Sequence, residues 1–160
     1  MSWSKAVVFL PFLLSACGFS VRGAGNIPPE ISVVYIDSAN RFSEFYQALV
    51  TEIRASRLTL STGSASADTI IRVSRDQTGQ RTLSVSARNV PTEYEVWYTI
   101  QYSVFIDGEE ILPPRQHTRT RDYTYDETLV LGKALEEEEL RKAIATDLVG
   151  LVVQHMAAIN

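Results

Sequence analysis

The chain has 160 residues, 45% hydrophobic and 21% charged, the proportions of one ordinary globular domain. Its net charge of −4 and pI near 5.2 exclude general nucleic-acid binding, so an anionic partner must be met by a local basic patch. A single cysteine excludes an internal disulfide, and His117 and His155, far apart in sequence, offer no metal cluster.

Met1 to Lys5 carry one positive charge, and "AVVFLPFLL" (6–14) is a short apolar run broken by Pro11. It is too short to span a bilayer, which takes roughly 20 residues, and it suits the h-region of a secretory signal. A short buried element, or a signal peptide with a chance cysteine, would be the plain reading. The sharper one is a bacterial lipoprotein signal, because Leu14-Ser15-Ala16-Cys17 matches a lipobox. The Cys17 thiol is the nucleophile that takes a diacylglycerol, and small residues before it admit the peptidase. Several acyl chains then anchor the protein at roughly 0.8 kcal/mol per buried CH₂. Residues 1–16 are thus read as signal peptide and 17–30 as lipidated N-terminus and Gly/Pro-rich tether. Residues 31–160 are read as one domain. Loss of Lys5 with the signal takes the net charge from −4 to −5. By similarity to lipoprotein sorting, Gly18 in place of an aspartate after the cysteine sends the anchor to the outer membrane.

"ISVVYID" (31–37) predicts a buried strand. Ser38 and Asn40 are cap residues, and Phe42, Phe45, Tyr46, Leu49 and Ile53 at helical spacing predict an amphipathic helix to about Arg57. "STGSASAD" (61–68) reads as a loop. "TIIRVSRD" (69–76) and "RTLSVSAR" (81–88) form one long strand or two pieces broken near Gly79. In "EYEVWYTIQYSVFID" (93–107) Tyr94, Val96, Tyr98, Ile100, Tyr102, Val104 and Ile106 take one face, and Glu93, Glu95, Trp97, Thr99, Gln101 and Ser103 the other. "DGEE" (107–110) predicts a hairpin turn and 114–125 a fourth strand. Leu135 to Ile159 predicts a long helix with Leu140, Ile144, Leu148, Leu151, Val152, His155 and Ile159 on its apolar side. Glu136 to Glu139 suit its dipole. The expected fold is α+β, a two-layer sandwich with two helices on one face of a four-stranded mixed sheet, in the order β-α-β-β-β-α.

Catalysis finds no support in these residues. There is no G-x-S-x-G elbow, "GSASAD" lacks the lysine and spacing of a phosphate loop, and four successive helical glutamates point in different directions. The informative charges are arginines. Arg72, Arg75, Arg81, Arg88, Arg115, Arg119 and Arg121 lie on the second and fourth strands, and residues 69–92 and 111–121 hold one acid, Asp76. They are solvated strand edges that discourage aggregation, or a face and rim that meets phosphates, or one that meets carboxylates of a partner. Arg115, His117, Arg119 and Arg121 share parity with Tyr123 and Tyr125. Inward tyrosines would therefore bring the arginines inward too, unless a bulge shifts the register or the strand projects past the helices.

"CGFSVRG" (17–23) resembles the "CGFxLRG" start of the LPS-assembly lipoproteins of the LptE family, with Val21 for the usual leucine. The resemblance continues through "IPPEISVVYID", "SVSARNVPTEYEVWYTIQYSV" and "TRDYTYDETLVLGKALEEEELRKAI", and in element order and length it covers essentially the whole mature chain. It implies a non-enzymatic outer-membrane lipoprotein, lipid-anchored, periplasm-facing and seated in a barrel lumen. Its role would be to plug and help assemble the LptD β-barrel and assist insertion of lipopolysaccharide at the cell surface. The implied partners are the LptD-type barrel, lipopolysaccharide and the outer membrane itself. No cofactor is implied beyond the N-acyl and S-diacylglycerol lipid on Cys17. The alternative is an accessory lipoprotein of another envelope transport complex. If strands two to four form a meander, Arg88 beside the "NVPTE" turn and Lys133 in the loop entering the last helix share a rim. There two cations can reach one lipid phosphate, with Arg121 a third candidate further down strand four.

Overall fold

The computed structural model describes residues 27–159. The anchor residues 1–26, Cys17 among them, lie outside this range, as does most of the proposed tether. Strand β1 (Val33–Ser38) leads to helix α1 (Glu44–Ala55), the two-residue strand β2 (Thr59–Leu60) and a 3-10 turn at 64–66. The long strands β3 (Thr69–Val85), β4 (Pro91–Ile106) and β5 (Glu109–Thr124) follow, and helix α2 (Val130–Ala157) closes the chain. The sheet order is β2-β1-β3-β4-β5. β1 runs parallel to β2 and β3, and β3-β4-β5 is an antiparallel meander.

The expected layers are present, with both helices on one face of a mixed sheet, but among the described residues the strands number five rather than four. The added strand, β2, is too short to show a period. Thr59 N–H donates to Ser32 O at 2.9 Å and Ser61 N–H to Val34 O at 2.8 Å, so it exists only through its neighbour. Residues 69–85 form one strand running through Gly79, whose missing side chain leaves room for the Trp97 indole across the ladder. A Cβ there would lie 2.8 Å from the ring. β5 begins at Glu109, five residues earlier than expected, because Asp107 and Gly108 (φ 51° and 85°) close a two-residue turn. α2 also begins five residues early.

The start of α1 differs from expectation in its cap. Ser43, not Ser38 or Asn40, caps it, its Oγ accepting from Tyr46 N–H at 3.1 Å. Phe42 falls outside the helix and is 93% exposed. Beneath the helices the even face of β4 is closed: Val96, Tyr98, Ile100, Tyr102 and Val104 have no exposed surface. Phe45, Leu49 and Ile53 of α1 and Ile144, Leu148, Val152 and Met156 of α2 complete the core. In α2 burial begins only at Ile144, so its first three turns and the far halves of the long strands extend past the core.

Candidate functional site

The meander decides where the basic residues go. A bulge between Val73 and Arg75 shifts the parity of β3. It leaves Arg72, Arg75 and Arg81 all opposite residues of β4's odd face, on the side of the sheet away from the helices. Two of the three are neutralised there. Arg72 Nε lies 3.1 Å from Asp37 Oδ2 and its guanidinium 4.5 Å above the Phe105 ring, and Arg81 Nη2 lies 2.6 Å from Glu95 Oε1.

The β5 arginines lie on the other face. Arg115, His117, Arg119 and Arg121 pair with Tyr102, Ile100, Tyr98 and Val96, so they do share the side of Tyr123. No bulge relieves them. The three arginines remain exposed because β5 is the edge strand and α2 crosses above β4, so their long side chains reach past the helix to water, while His117 between them is half-buried. The basic residues thus form two rows on opposite faces, not one continuous face. Arg121 Nη2 meets Asp147 Oδ2 of α2 at 2.7 Å, and with Arg119, Thr146 and Gly150 they line a cavity of about 650 Å³ between strand and helix. A groove of about 960 Å³ between α1 and α2 is lined by Gln47, Thr51, Val149, Gly150 and others.

Of the candidates for lipopolysaccharide, Arg88 sits in the β3–β4 turn, exposed, with no ion pair among the described residues. Lys133 is in the first turn of α2, not in a loop, and its ammonium lies 2.7 Å from Glu136 Oε2. Its side chain is only 18% exposed. Tyr125 N–H donates to Thr92 O at 2.8 Å, tying the approach to α2 against the start of β4. Arg88 and Lys133 therefore lie at the same end of the molecule. Arg121 does not join them: it pairs with Val96, five residues along β4 from Pro91, or about 17 Å.

Two polar constellations were not anticipated from sequence. In the first, Asp76 accepts from Tyr98 Oη at 2.7 Å through Oδ1 and from Ser43 Oγ at 2.5 Å through Oδ2. Burial, then the bond and charge of Asp76, push the Tyr98 phenol well above its ordinary range, so it stays a donor. The one acid among the arginines thus fastens the cap of α1 to the central strand. Its isolation in sequence was the available signal, masked by the bulge that reverses its face.

In the second, Tyr102 Oη lies 2.6 Å from His155 Nδ1, and the His155 and His117 ring centroids are 5.3 Å apart. Burial pushes the Tyr102 phenol up to about 12, so it donates and Nδ1 of the neutral ring accepts. Burial, then Arg115, hold both imidazoles below their usual value, with Arg119 adding to the effect on His117 and each imidazole close to the other. His117 Nε2 is buried without a hydrogen-bond partner. The folded state therefore resists protonation that the unfolded chain accepts near pH 6.5. This stability is present above about pH 6.5 and is lost progressively as the pH falls toward the folded-state values. The melting temperature is expected to drop between pH 7.5 and 5.5. The doubly substituted His117→Asn/His155→Asn protein should show a flatter profile in thermal melts, and an unchanged slope would rule this cluster out as its source.

Among the described residues no helix is long and apolar enough to cross a membrane. The LptE family model, described as Lipopolysaccharide-assembly, matches residues 31–156, nearly the whole described domain. The chain belongs to the LptE family. An LPS-assembly lipoprotein LptE of Yersinia enterocolitica is 28% identical over 152 residues, covering 91% of this chain and 73% of that protein. One from Pectobacterium atrosepticum is 24% identical over 156 residues, covering 96% and 84%. In fold, this LptE-family chain is similar to a lipoprotein B from Nitrosomonas europaea (TM-score 0.70, 22% identity, 88% of this chain and 91% of that one). It is also similar to the rare lipoprotein B of Shewanella oneidensis (TM-score 0.68, 23% identity, 79% and 95%). The family is one of lipopolysaccharide-assembly lipoproteins.

Proposed function

We propose that the protein is anchored to the outer membrane through lipid on Cys17. There it plugs and helps assemble an LptD-type β-barrel, and it assists insertion of lipopolysaccharide at the cell surface without catalysing a reaction. The observation that carries this reading is the family match across residues 31–156. The lipobox at 14–17 supports it independently. Three long strands and a 28-residue helix on a small core give an elongated body, which suits a plug better than a pocketed enzyme.

In this reading Arg88 and Lys133 meet phosphates of lipopolysaccharide, with Arg121 a separate, lesser contact. Arg88 should contribute most, because Lys133 is already held by Glu136 and Arg121 by Asp147. Arg88→Asp with Lys133→Asp is expected to weaken binding of lipopolysaccharide at least tenfold, with Arg88→Asp alone giving the larger share. The melting temperature should stay within a few degrees of wild type. Added salt should weaken wild-type binding, since exposed charges are screened within about 10 Å at 0.1 M. Unchanged affinity in the double variant would remove these residues from the site.

Cys17→Ala is expected to abolish acylation and slow processing of the signal while leaving the fold of residues 31–160 unchanged. Among the described residues the first that is buried, Ile31, comes fourteen positions after the cysteine. Palmitate label still entering the Cys17→Ala chain would contradict the anchor.

A further inference from the structure

The two edges of the sheet are unequal. At one edge β2 offers two residues. At the other β5 offers sixteen and, among the described residues, pairs only with β4. An edge strand of an antiparallel sheet leaves alternate N–H and C=O groups open along its outer side.

The open edge has two parts. Its first part carries Pro113 and Pro114 and faces register shifts between Tyr102 and Phe105, features that blunt an edge. The second part, Arg115 to Thr124, pairs with Tyr102 to Glu93 through ten consecutive residues with no shift, and contains neither proline nor glycine. Most of its side chains are exposed.

The charge on that stretch selects what can pair with it. Arg115, Arg119 and Arg121 project from one face against a single acid, Asp122, on the other. Arg121 is matched by Asp147, whereas Arg115 and Arg119 make no ion pair among the described residues. A second copy of β5 laid antiparallel would set this cationic row against itself, and like charges directly opposite are destabilising. A strand with carboxylates at alternate positions would meet Arg115 and Arg119 across the new ladder, where guanidinium and carboxylate can bond bidentately. Ile27, the first described residue, leads into β1, which β3 and β4 separate from β5 in the sheet.

We propose that residues 115–124 of β5 are a docking edge for an extended acidic segment of a partner polypeptide, which adds to the sheet as a sixth strand. Backbone pairing would supply the affinity, and Arg115 and Arg119 the choice of an acidic strand over a basic one. The edge could take such a strand whether or not Arg88 meets lipopolysaccharide.

The test uses the full chain purified in detergent and an end-capped ten-residue peptide of alternating glutamate and threonine. A second peptide has lysine in place of glutamate, and a third is the glutamate peptide N-methylated at alternate residues. Amide hydrogen exchange and binding titrations are measured at two salt concentrations. The glutamate peptide is expected to slow exchange within 115–124, more strongly at low salt, while the lysine and N-methylated peptides leave it unchanged. In Arg115→Glu/Arg119→Glu the glutamate peptide should bind at least tenfold more weakly and the lysine peptide should now bind. The proposal is overturned by no protection at about 1 mM glutamate peptide, a concentration that detects even weak millimolar pairing. Equal protection by both charge forms, or binding undiminished by N-methylation, overturns it too. So does protection that grows with protein concentration alone, which would mean that a second copy covers the edge. If melts show that the charge-reversed chain is misfolded, the N-methylated and lysine peptides on the wild-type chain decide.

Discussion

Ile100→Asp is expected to abolish the cooperative thermal unfolding transition. Ile100 is fully buried at the middle of β4, with Asp76 of β3 and His117 of β5 as its ladder partners. An aspartate there loses the apolar contacts and sets a charge beneath the helices, next to the Asp76 carboxylate and opposite an imidazole held neutral by burial and Arg115. Leaving a charge buried and unpaired costs about 3–5 kcal/mol, and the lost isoleucine adds roughly 2–5 kcal/mol. A domain of this size is stable by about 5–15 kcal/mol, so most or all of the margin disappears. Trp97→Asp tests the opposite face. The indole covers Gly79 but is only half-buried, so this variant should still melt cooperatively at a lower temperature. Matched melts for Ile100→Asp and wild type would contradict the placement of the even face under the helices.

Asp76→Ala is the second large effect, and its magnitude follows from the partners it strands. The carboxylate accepts from Tyr98 and Ser43 together, and hydrogen bonds to charged groups are worth about 1.5–3 kcal/mol each. Removing it leaves the Tyr98 hydroxyl under α1 with only the Phe45 N–H, itself a donor, at 3.3 Å. Ser43 keeps its capping bond to Tyr46, so the helix should persist while its seat on the sheet loosens. A loss of about 2–4 kcal/mol is expected by denaturant unfolding. Asp76→Asn, which retains one acceptor, should cost less, and so should Tyr98→Phe, which removes the stranded hydroxyl. If Asp76→Ala were neutral, the contact would be incidental and α1 would be seated by Phe45, Leu49 and Ile53 alone.

These two residues mark the boundary of what sequence alone revealed. Ile100 belongs to a period-two pattern from Tyr94 to Ile106, and complete burial follows that pattern from Val96 to Val104 because the helices cover that face, although Glu95, Thr99 and Ser103 on the other face are also largely covered by the flanking strands. Asp76 was read only as an acid among arginines. The bulge after Val73 reverses the faces of the strand beyond it, and a one-residue slip leaves no trace in composition. The same slip separated the arginines of β3 from those of β5. Shared parity links Arg115, His117, Arg119 and Arg121 to Tyr123 but leaves open how arginines could lie on that side; the exposure of the three arginines is explained by the edge position of β5, which depends on strand order. β2 escaped notice because two residues carry no period. Lys133 was placed in a loop because Gly132 and the exposed Leu129, Val130 and Leu131 do not look like a buried helical face. The helix starts there nevertheless, ahead of its core contacts.

The most direct test of the proposed role is what the lipoprotein carries with it out of the membrane. The tagged full chain would be expressed in its own host at native level, extracted with the outer membrane in mild detergent and purified through the tag. The account predicts a stoichiometric complex with an LptD-type β-barrel, retained through size exclusion and weakened little by Arg88→Asp/Lys133→Asp. Recovery of the folded, acylated lipoprotein free of any such barrel, or bound to a different envelope transport complex, would contradict it.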